Sequence, residues 1–263
     1  MTWLKEKSPF IIFSAVLGIG IIVFLLLPFG SLANSAGGIP AALLDQRTQA
    51  AIVTSFYCAL LATIFAFILG IPFAYVFTRY EFRGKKLIDS LIDLPILIPH
   101  NAAGIALIAI FSSGSLIGGL FSQFGIHFVD TIFGIVVAMA FVSAPFMIRS
   151  AQEAFTSIDP KMEYVARSLG ASRFSVFKEV ILPSAQKGIL TGCILTWARA
   201  VSEFGAVVML AYYPLTAPVY LDYVYASEGL QAALPITGLL LILAVIALII
   251  FRLVTDRPAK LVR

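Results

Sequence analysis

Asp159-Pro160-Lys161-Met162-Glu163-Tyr164-Val165-Ala166-Arg167-Ser168-Leu169-Gly170 is a polar segment set between long apolar runs, and ten residues beyond its glycine the chain reads Val180-Ile181-Leu182-Pro183. Asp159 supplies an N-cap acceptor, and Pro160 a first helical residue whose missing N–H is no loss there. Met162, Val165, Ala166 and Leu169 then fall at i, i+3, i+4 and i+7. This predicts a short helix with one apolar face, while Lys161, Glu163 and Arg167 stay in water. Gly170 suits the left-handed conformation that ends a helix, and Ser172 can cap a second one carrying Phe174, Phe177 and Val180. At 1.5 Å per residue the first helix is about 15 Å long, too short and too charged to cross a bilayer. It reads as a docking element.

Outside this loop the composition is that of a chain dissolved in lipid: 60% of its 263 residues are hydrophobic and 12% charged. Runs near the length of about 20 residues that a span needs occupy residues 10–29, 52–77, 91–111, 132–148, 188–211 and 234–254. The expected fold class is therefore an all-α integral membrane protein of about six spans, a single membrane domain over 1–263 with its large cytoplasmic loop at 149–187.

Charge sets the orientation. Lys5 and Lys7 precede the first run, Arg79, Arg83, Lys85 and Lys86 follow the second, six basic residues from Arg149 to Lys187 follow the fourth, and Arg252, Arg257, Lys260 and Arg263 close the chain. Sixteen of the eighteen basic residues thus lie on one side, leaving Arg47 and Arg199. By the positive-inside rule both termini are cytoplasmic. The net charge of +4 follows from this topology beside an anionic leaflet and needs no nucleic acid. The first run, with Lys5 and Lys7 before it and Ser31-Leu32-Ala33 after it, has some features of a secretory signal. It is too long for a typical signal core and is expected to be retained; a mature protein beginning at Asn34 would overturn this.

No phosphate-cradling G-x-x-x-x-G-K-[ST] motif occurs, so nucleotide hydrolysis must come from another chain. Cys58 and Cys193 fall inside predicted spans without metal-ligand spacing. No catalytic triad, acid-base carboxylate pair or metal site is apparent, and no chemistry is expected in this chain. The external segments 30–50, 112–131 and 212–233 carry Asp45, Asp130, Asp222 and Glu228 against the single Arg47. A mouth of that sign does not concentrate anions, so an anionic cargo would need separate delivery.

Arg199 lies about 16 Å into the fifth run, where an isolated charge costs at least about 2.5 kcal/mol. Glu203, four residues on, can meet it on the same helix face. Gly192, Thr196, Arg199, Glu203 and Ala206 form one small and polar stripe that should face protein or a water-filled path. The pair either fixes packing between spans or lines a gate. In Asp93-Leu94-Pro95-Ile96-Leu97-Ile98-Pro99-His100-Asn101 two prolines bend the third run. His100 and Asn101 either satisfy that bend or donate to a passing oxyanion. Ser143, beside Pro145, and Ser202 complete the candidates for a translocation path.

At 164–183 the chain resembles the permease subunits of ABC importers, whose EAA loop has Glu-Ala-Ala, three residues, Gly, nine residues and Ile-x-Leu-Pro. Ala166, Gly170, Leu182 and Pro183 match in identity, whereas Tyr164 stands in place of Glu, Val165 in place of Ala and Val180 in place of Ile. Leu94-Pro95 with Ile98-Pro99-His100, Phe141-Val142-Ser143-Ala144-Pro145-Phe146, and Trp197-Ala198-Arg199-Ala200 with Ser202-Glu203-Phe204-Gly205-Ala206 resemble the permeases for molybdate and tungstate.

The resemblance implies a type I importer fold with a coupling-helix loop, in the plasma membrane of a prokaryote. Two copies of the chain would form the pore, two ATP-binding cassette subunits carrying ATP and Mg would dock below, and an external protein would deliver the oxyanion. Coupling to the ATPase then falls to Glu163, Tyr164, Val165, Ala166, Arg167, Gly170, Ala171, Arg173, Leu182 and Pro183. The sulfate and thiosulfate permeases are the nearest alternative. An ion-coupled secondary transporter, using Arg199 and Glu203 without ATP, and a membrane scaffold without a path are readings from other classes.

Overall fold

In the computed structural model, which describes residues 9–255, helix follows helix without a strand. The order is α1 (Pro9–Ser31), a 3-10 segment (Leu32–Gly38), α2 (Ile39–Leu44), α3 (Gln46–Arg79), α4 (Lys85–Leu97), α5 (His100–Phe111), α6 (Leu116–Ser122), α7 (Ile132–Thr156) and α8 (Lys161–Ser168). There follow α9 (Arg173–Val176), a π turn (Phe177–Ile181), α10 (Leu182–Ser184), α11 (Gln186–Val201), α12 (Gly205–Leu210), α13 (Ala217–Glu228) and α14 (Leu230–Thr255). The flanking Lys5, Lys7, Arg257, Lys260 and Arg263 lie outside the described residues.

Four helices, α1, α3, α7 and α14, are long and apolar enough to cross a bilayer, and a fifth crossing results if α4 and α5 form one broken span. Two runs expected to be single helices are divided. The third becomes α4 and α5, which meet at 112°. Pro99 excludes Ile98 from the helical region, and Ile98 is extended at φ −77, ψ 145. The fifth ends as α11 at Val201 and resumes as α12 at Gly205, with no proline in the break. Helix α7 continues to Thr156, past position 149.

Small residues at helical spacing bring the spans together. Ala51, Ser55, Ala59, Ala62, Ala66, Gly70 and Ala74 form the buried stripe of α3. Between helices in lipid, close backbone approach replaces the hydrophobic effect as the main source of attraction. The same device seats α11 on α7: a Cβ at Gly188 would lie 2.5 Å from that of Ala154, and one at Gly192 would lie 2.9 Å from that of Ser150. Beneath the loop that carries α8, Ile71, Met147, Phe155, Val176 and Ile181 make a cluster. Around it the Tyr75 ring lies 5.7 Å from Phe155 and 4.9 Å from Phe177.

Two of the acidic residues in the segments between apolar runs have structural work. Asp45 caps α3, accepting from the Thr48 N–H at 2.8 Å, the Thr48 hydroxyl at 2.8 Å and the Tyr220 hydroxyl at 3.2 Å. The Thr48 backbone bond, then the Thr48 hydroxyl, holds the Asp45 carboxyl below the usual carboxylate range. Asp130, at φ 52, accepts from the Tyr212 N–H at 2.8 Å and pins the segment after α12.

Candidate coupling surface and mid-membrane site

The short helix α8 starts and stops by local chemistry. Asp159 accepts from the Lys161 N–H at 2.9 Å. At the other end Gly170 has φ +92, its N–H reaches the Arg167 carbonyl at 3.0 Å, and that of Ala171 reaches the Ala166 carbonyl at 3.2 Å. This paired termination needs a residue without a Cβ penalty at the left-handed position. Ser172 then caps α9, accepting from the Ser175 N–H at 3.1 Å.

The orientation of α8 departs from the periodicity at one residue. Glu163, assigned above to water, turns inward: its carboxylate receives Arg79 Nε at 2.5 Å and the Tyr75 hydroxyl at 2.9 Å. The two charged side chains are only 11% and 15% exposed. Arg79 Nη2 also donates to the Ile158 carbonyl at 3.1 Å, so α3 is tied both to α8 and to the turn before it. Ala166 and Ala171 pack on the body, whereas Met162, Tyr164, Val165, Leu169 and Phe174 are exposed, Leu169 to 84%. Arg167 and Arg173 are exposed around them. The ion pair decides the orientation, because losing one partner of a nearly buried pair costs about 3 kcal/mol.

Leu182 and Pro183 form the joint behind this surface. The π turn comes immediately before them, where the proline ring would otherwise press on the preceding helical turn. A second clamp, unseen in the sequence, joins α7 to α4. Arg149 donates from Nε and Nη2 to the two carboxylate oxygens of Asp93 at 2.9 and 2.6 Å, from Nη2 to the Asp89 carbonyl at 2.8 Å, and from Nη1 to the Asp89 carboxylate. The partners are 56 and 60 residues apart in sequence.

In mid-membrane the two helix breaks meet. Glu203 is 0% exposed. Its Oε2 accepts from Arg199 Nη2 at 2.7 Å and lies 2.9 Å from His100 Nδ1, while Oε1 accepts from the Ala206 N–H at 2.8 Å. One carboxylate therefore binds the end of α11, the start of α12 and the start of α5. Crossing at this point is close, since a Cβ on Gly104 would lie 2.8 Å from the Ala206 carbonyl and one on Gly205 would lie 2.7 Å from His100 Cβ. Arg199 Nη2 also sits 2.8 Å from His100 Nδ1. His100 is thus committed to the cluster and does not serve the break at Pro99.

The other path candidates divide. Asn101 and Ser202 are exposed beside the cluster, Ser202 Oγ lying 3.4 Å from Arg199 Nη1. Ser202 also borders an apolar cavity of about 520 Å³ walled by Phe56, Trp197, Leu221, Leu240 and Phe251. Thr196 is fully buried and its hydroxyl has no partner among the described residues. Ser143 is buried and donates to the Met139 carbonyl at 2.7 Å, taking no part in the cluster. Cys58 and Cys193 are free thiols, and among the described residues no group of His, Cys, Asp or Glu has the geometry to hold a metal ion.

Comparison with known proteins assigns this architecture. Residues 66–262 match the family of binding-protein-dependent transport system inner membrane components. The chain is 38% identical over 247 residues to the molybdate/tungstate transport system permease protein WtpB of Pyrococcus furiosus, covering 92% of this chain and 94% of that one. It is 42% identical over a shorter stretch of 171 residues to a probable sulfate transport system permease protein of Chlorokybus atmophyticus, covering 64% and 60%. Among solved structures it superposes with TM-score 0.76 on a chain of a bacterial ABC transporter involved in the import of alginate, at 17% identity over 98% of this chain and 99% of that one. The chain belongs to the family of binding-protein-dependent transport system inner membrane components, the permease subunits of ABC importers.

Proposed function

We propose that the chain is the permease subunit of an ATP-driven importer of molybdate and tungstate, working as one transmembrane domain in a prokaryotic plasma membrane with both termini cytoplasmic. Two copies form the path. Two ATP-binding cassette subunits, which carry ATP and Mg, dock on α8 and its flanks, and an extracytoplasmic binding protein delivers the oxyanion. The observation that carries this reading is the outward apolar face of α8, held by the Arg79–Glu163 pair and built on a chain whose relative over nearly its full length is a molybdate/tungstate permease.

In this scheme Met162, Tyr164, Val165, Leu169 and Phe174 meet the ATPase, with Arg167 and Arg173 around them. Glu163, Ala166 and Ala171 hold the helix to the body, and Gly170, Leu182 and Pro183 set its angle. A rigid helix tied to α3 transmits closure of the ATPase pair to the path, provided its contacts differ between the two states. The deciding experiment is ATP-dependent uptake into proteoliposomes containing the chain with its ATPase and binding protein, offered tungstate, molybdate and sulfate at equal concentration. Preference for the two heavier oxyanions is the expected result. Uptake of sulfate alone would transfer the chain to the sulfate branch, and uptake indifferent to ATP, with an active ATPase present, would leave a secondary transporter.

A further inference from the structure

We propose that the open edge of the Arg199–Glu203–His100 cluster is a transit site for a tetrahedral oxyanion, with Arg199 as the binding residue and Glu203 and His100 as positioning residues; this rests on the importer reading above. Glu203 is not available to cargo. It is wholly buried, Oε1 is taken by the Ala206 N–H, and Oε2 is shared by Arg199 and His100. Arg199 is different. Its Nη2 belongs to the cluster, but Nη1 has only Ser202 Oγ at 3.4 Å, outside the ordinary range for a hydrogen bond, and Nε donates to no described residue.

A guanidinium with idle donors in mid-bilayer requires water or an anion beside it. Both bidentate edges of the guanidinium include the occupied Nη2, so Nη1 and Nε each offer a single charge-assisted hydrogen bond to an oxyanion oxygen. The side chain keeps 22% exposure, and Asn101, next to His100, is exposed as well. Of the eighteen basic residues, Arg199 is the one lying deep inside an apolar run. Glu203, bonded to Nη2, moderates the attraction of Arg199 for an arriving dianion without cancelling it at the exposed edge. Passage needs binding of that kind, strong enough to admit the ion and weak enough to release it.

His100 sharpens the geometry. Its Nδ1 lies within reach of both Glu203 Oε2 and Arg199 Nη2, and one nitrogen cannot donate to the first and accept from the second. With Nδ1–H donating to Glu203 Oε2, Nε2 is the nitrogen that accepts from Arg199 Nη2, at 3.1 Å, and the Nη1 and Nε donors are left for cargo.

The test uses the assembled transporter in proteoliposomes, with Cys58→Ala and Cys193→Ala removing the native thiols and Asn101→Cys as reporter. Two methanethiosulfonates of similar size are compared, one bearing a sulfonate, itself a tetrahedral oxyanion, and one bearing a trimethylammonium group. Each rate is divided by that of the same reagent with a free thiol. The sulfonate should react about tenfold faster, tungstate should slow it, and Arg199→Gln should abolish both effects. Arg199→Lys should keep the charge preference while weakening tungstate protection about fivefold, because the separate Nη1 and Nε donors give way to a single ammonium. Equal rates for the two reagents, a preference that survives Arg199→Gln, full protection in Arg199→Lys, or no reaction with either reagent would each overturn the site. A sulfonate preference without ATP-driven oxyanion uptake would leave the site standing and remove the importer reading instead.

Discussion

The molecule contains two glutamate–arginine pairs that differ in what they leave open. Beside α8, Arg79 joins Glu163 across 84 residues of sequence, and the second oxygen of that carboxylate is taken by Tyr75. The arginine gives a further bond to the Ile158 carbonyl. That pair is closed and turned inward, and its product is an exposed apolar face on α8. In mid-membrane, Arg199 joins Glu203 across a single helical turn, and here too the carboxylate is fully used. The outer edge of this arginine, however, has no strong partner. An arginine only 11% exposed and bonded to two elements is a tether, whereas one that keeps 22% exposure and an unbonded Nε is a place for a ligand.

The largest effect is expected where the pair is least exposed. Glu203→Gln removes the charge opposite Arg199 at a site with no solvent access, a loss of about 3 kcal/mol or about a hundredfold in uptake of tungstate. Near-normal uptake in normally folded protein would break the distinction between the two pairs, because Glu203 would then position nothing. Gly170→Asp ranks next. A Cβ at this position meets no atom within 4 Å, so the penalty is the left-handed backbone, about 1 kcal/mol, together with a charge placed on the docking face. The dimer should stay in the membrane while uptake falls about tenfold and hydrolysis continues uncoupled, as read by transport and phosphate release in one sample.

The tether itself is sharpened by a double-mutant cycle on Arg79→Gln and Glu163→Gln. A coupling energy of about 1–2 kcal/mol in thermal unfolding of the detergent-solubilised protein is expected, and additive effects would show that the pair does not hold α8. The smallest effect belongs to the cap of α3. Asp45→Ala should lower stability by about 1 kcal/mol at neutral pH. Because the folded Asp45 carboxyl titrates below its unfolded value, its contribution is present above the unfolded value of about 3.9 and disappears as pH falls through the lower folded one. The gap between wild type and variant should therefore close in acid.

What the sequence revealed follows the range of each interaction. Helix α8, its stop at Gly170 and the cap at Ser172 are made by neighbours, and the Arg199–Glu203 contact spans one turn, so spacing alone exposes them. The Arg79–Glu163 and Arg149–Asp89/Asp93 contacts join helices far apart in the chain, and no periodicity encodes them. Periodicity also left Glu163 in water with Lys161 and Arg167, since it cannot see an arginine on α3 waiting for it. The prolines at 95 and 99 announced a bend, though not one of 112°. The break between α11 and α12 carries no proline signal, because the Glu203 carboxylate satisfies the freed Ala206 N–H.

The most direct test of the difference between the two pairs is to measure oxyanion uptake and ATP hydrolysis together in proteoliposomes for Arg79→Gln and Arg199→Gln. A tether lost at α8 should lower both quantities in step, leaving the number of oxyanions moved per ATP near the wild-type value. A binding residue lost from the path should lower that number, so that ATP is consumed with little tungstate delivered. The same ratio in both variants would contradict the division of labour between the closed pair and the open one.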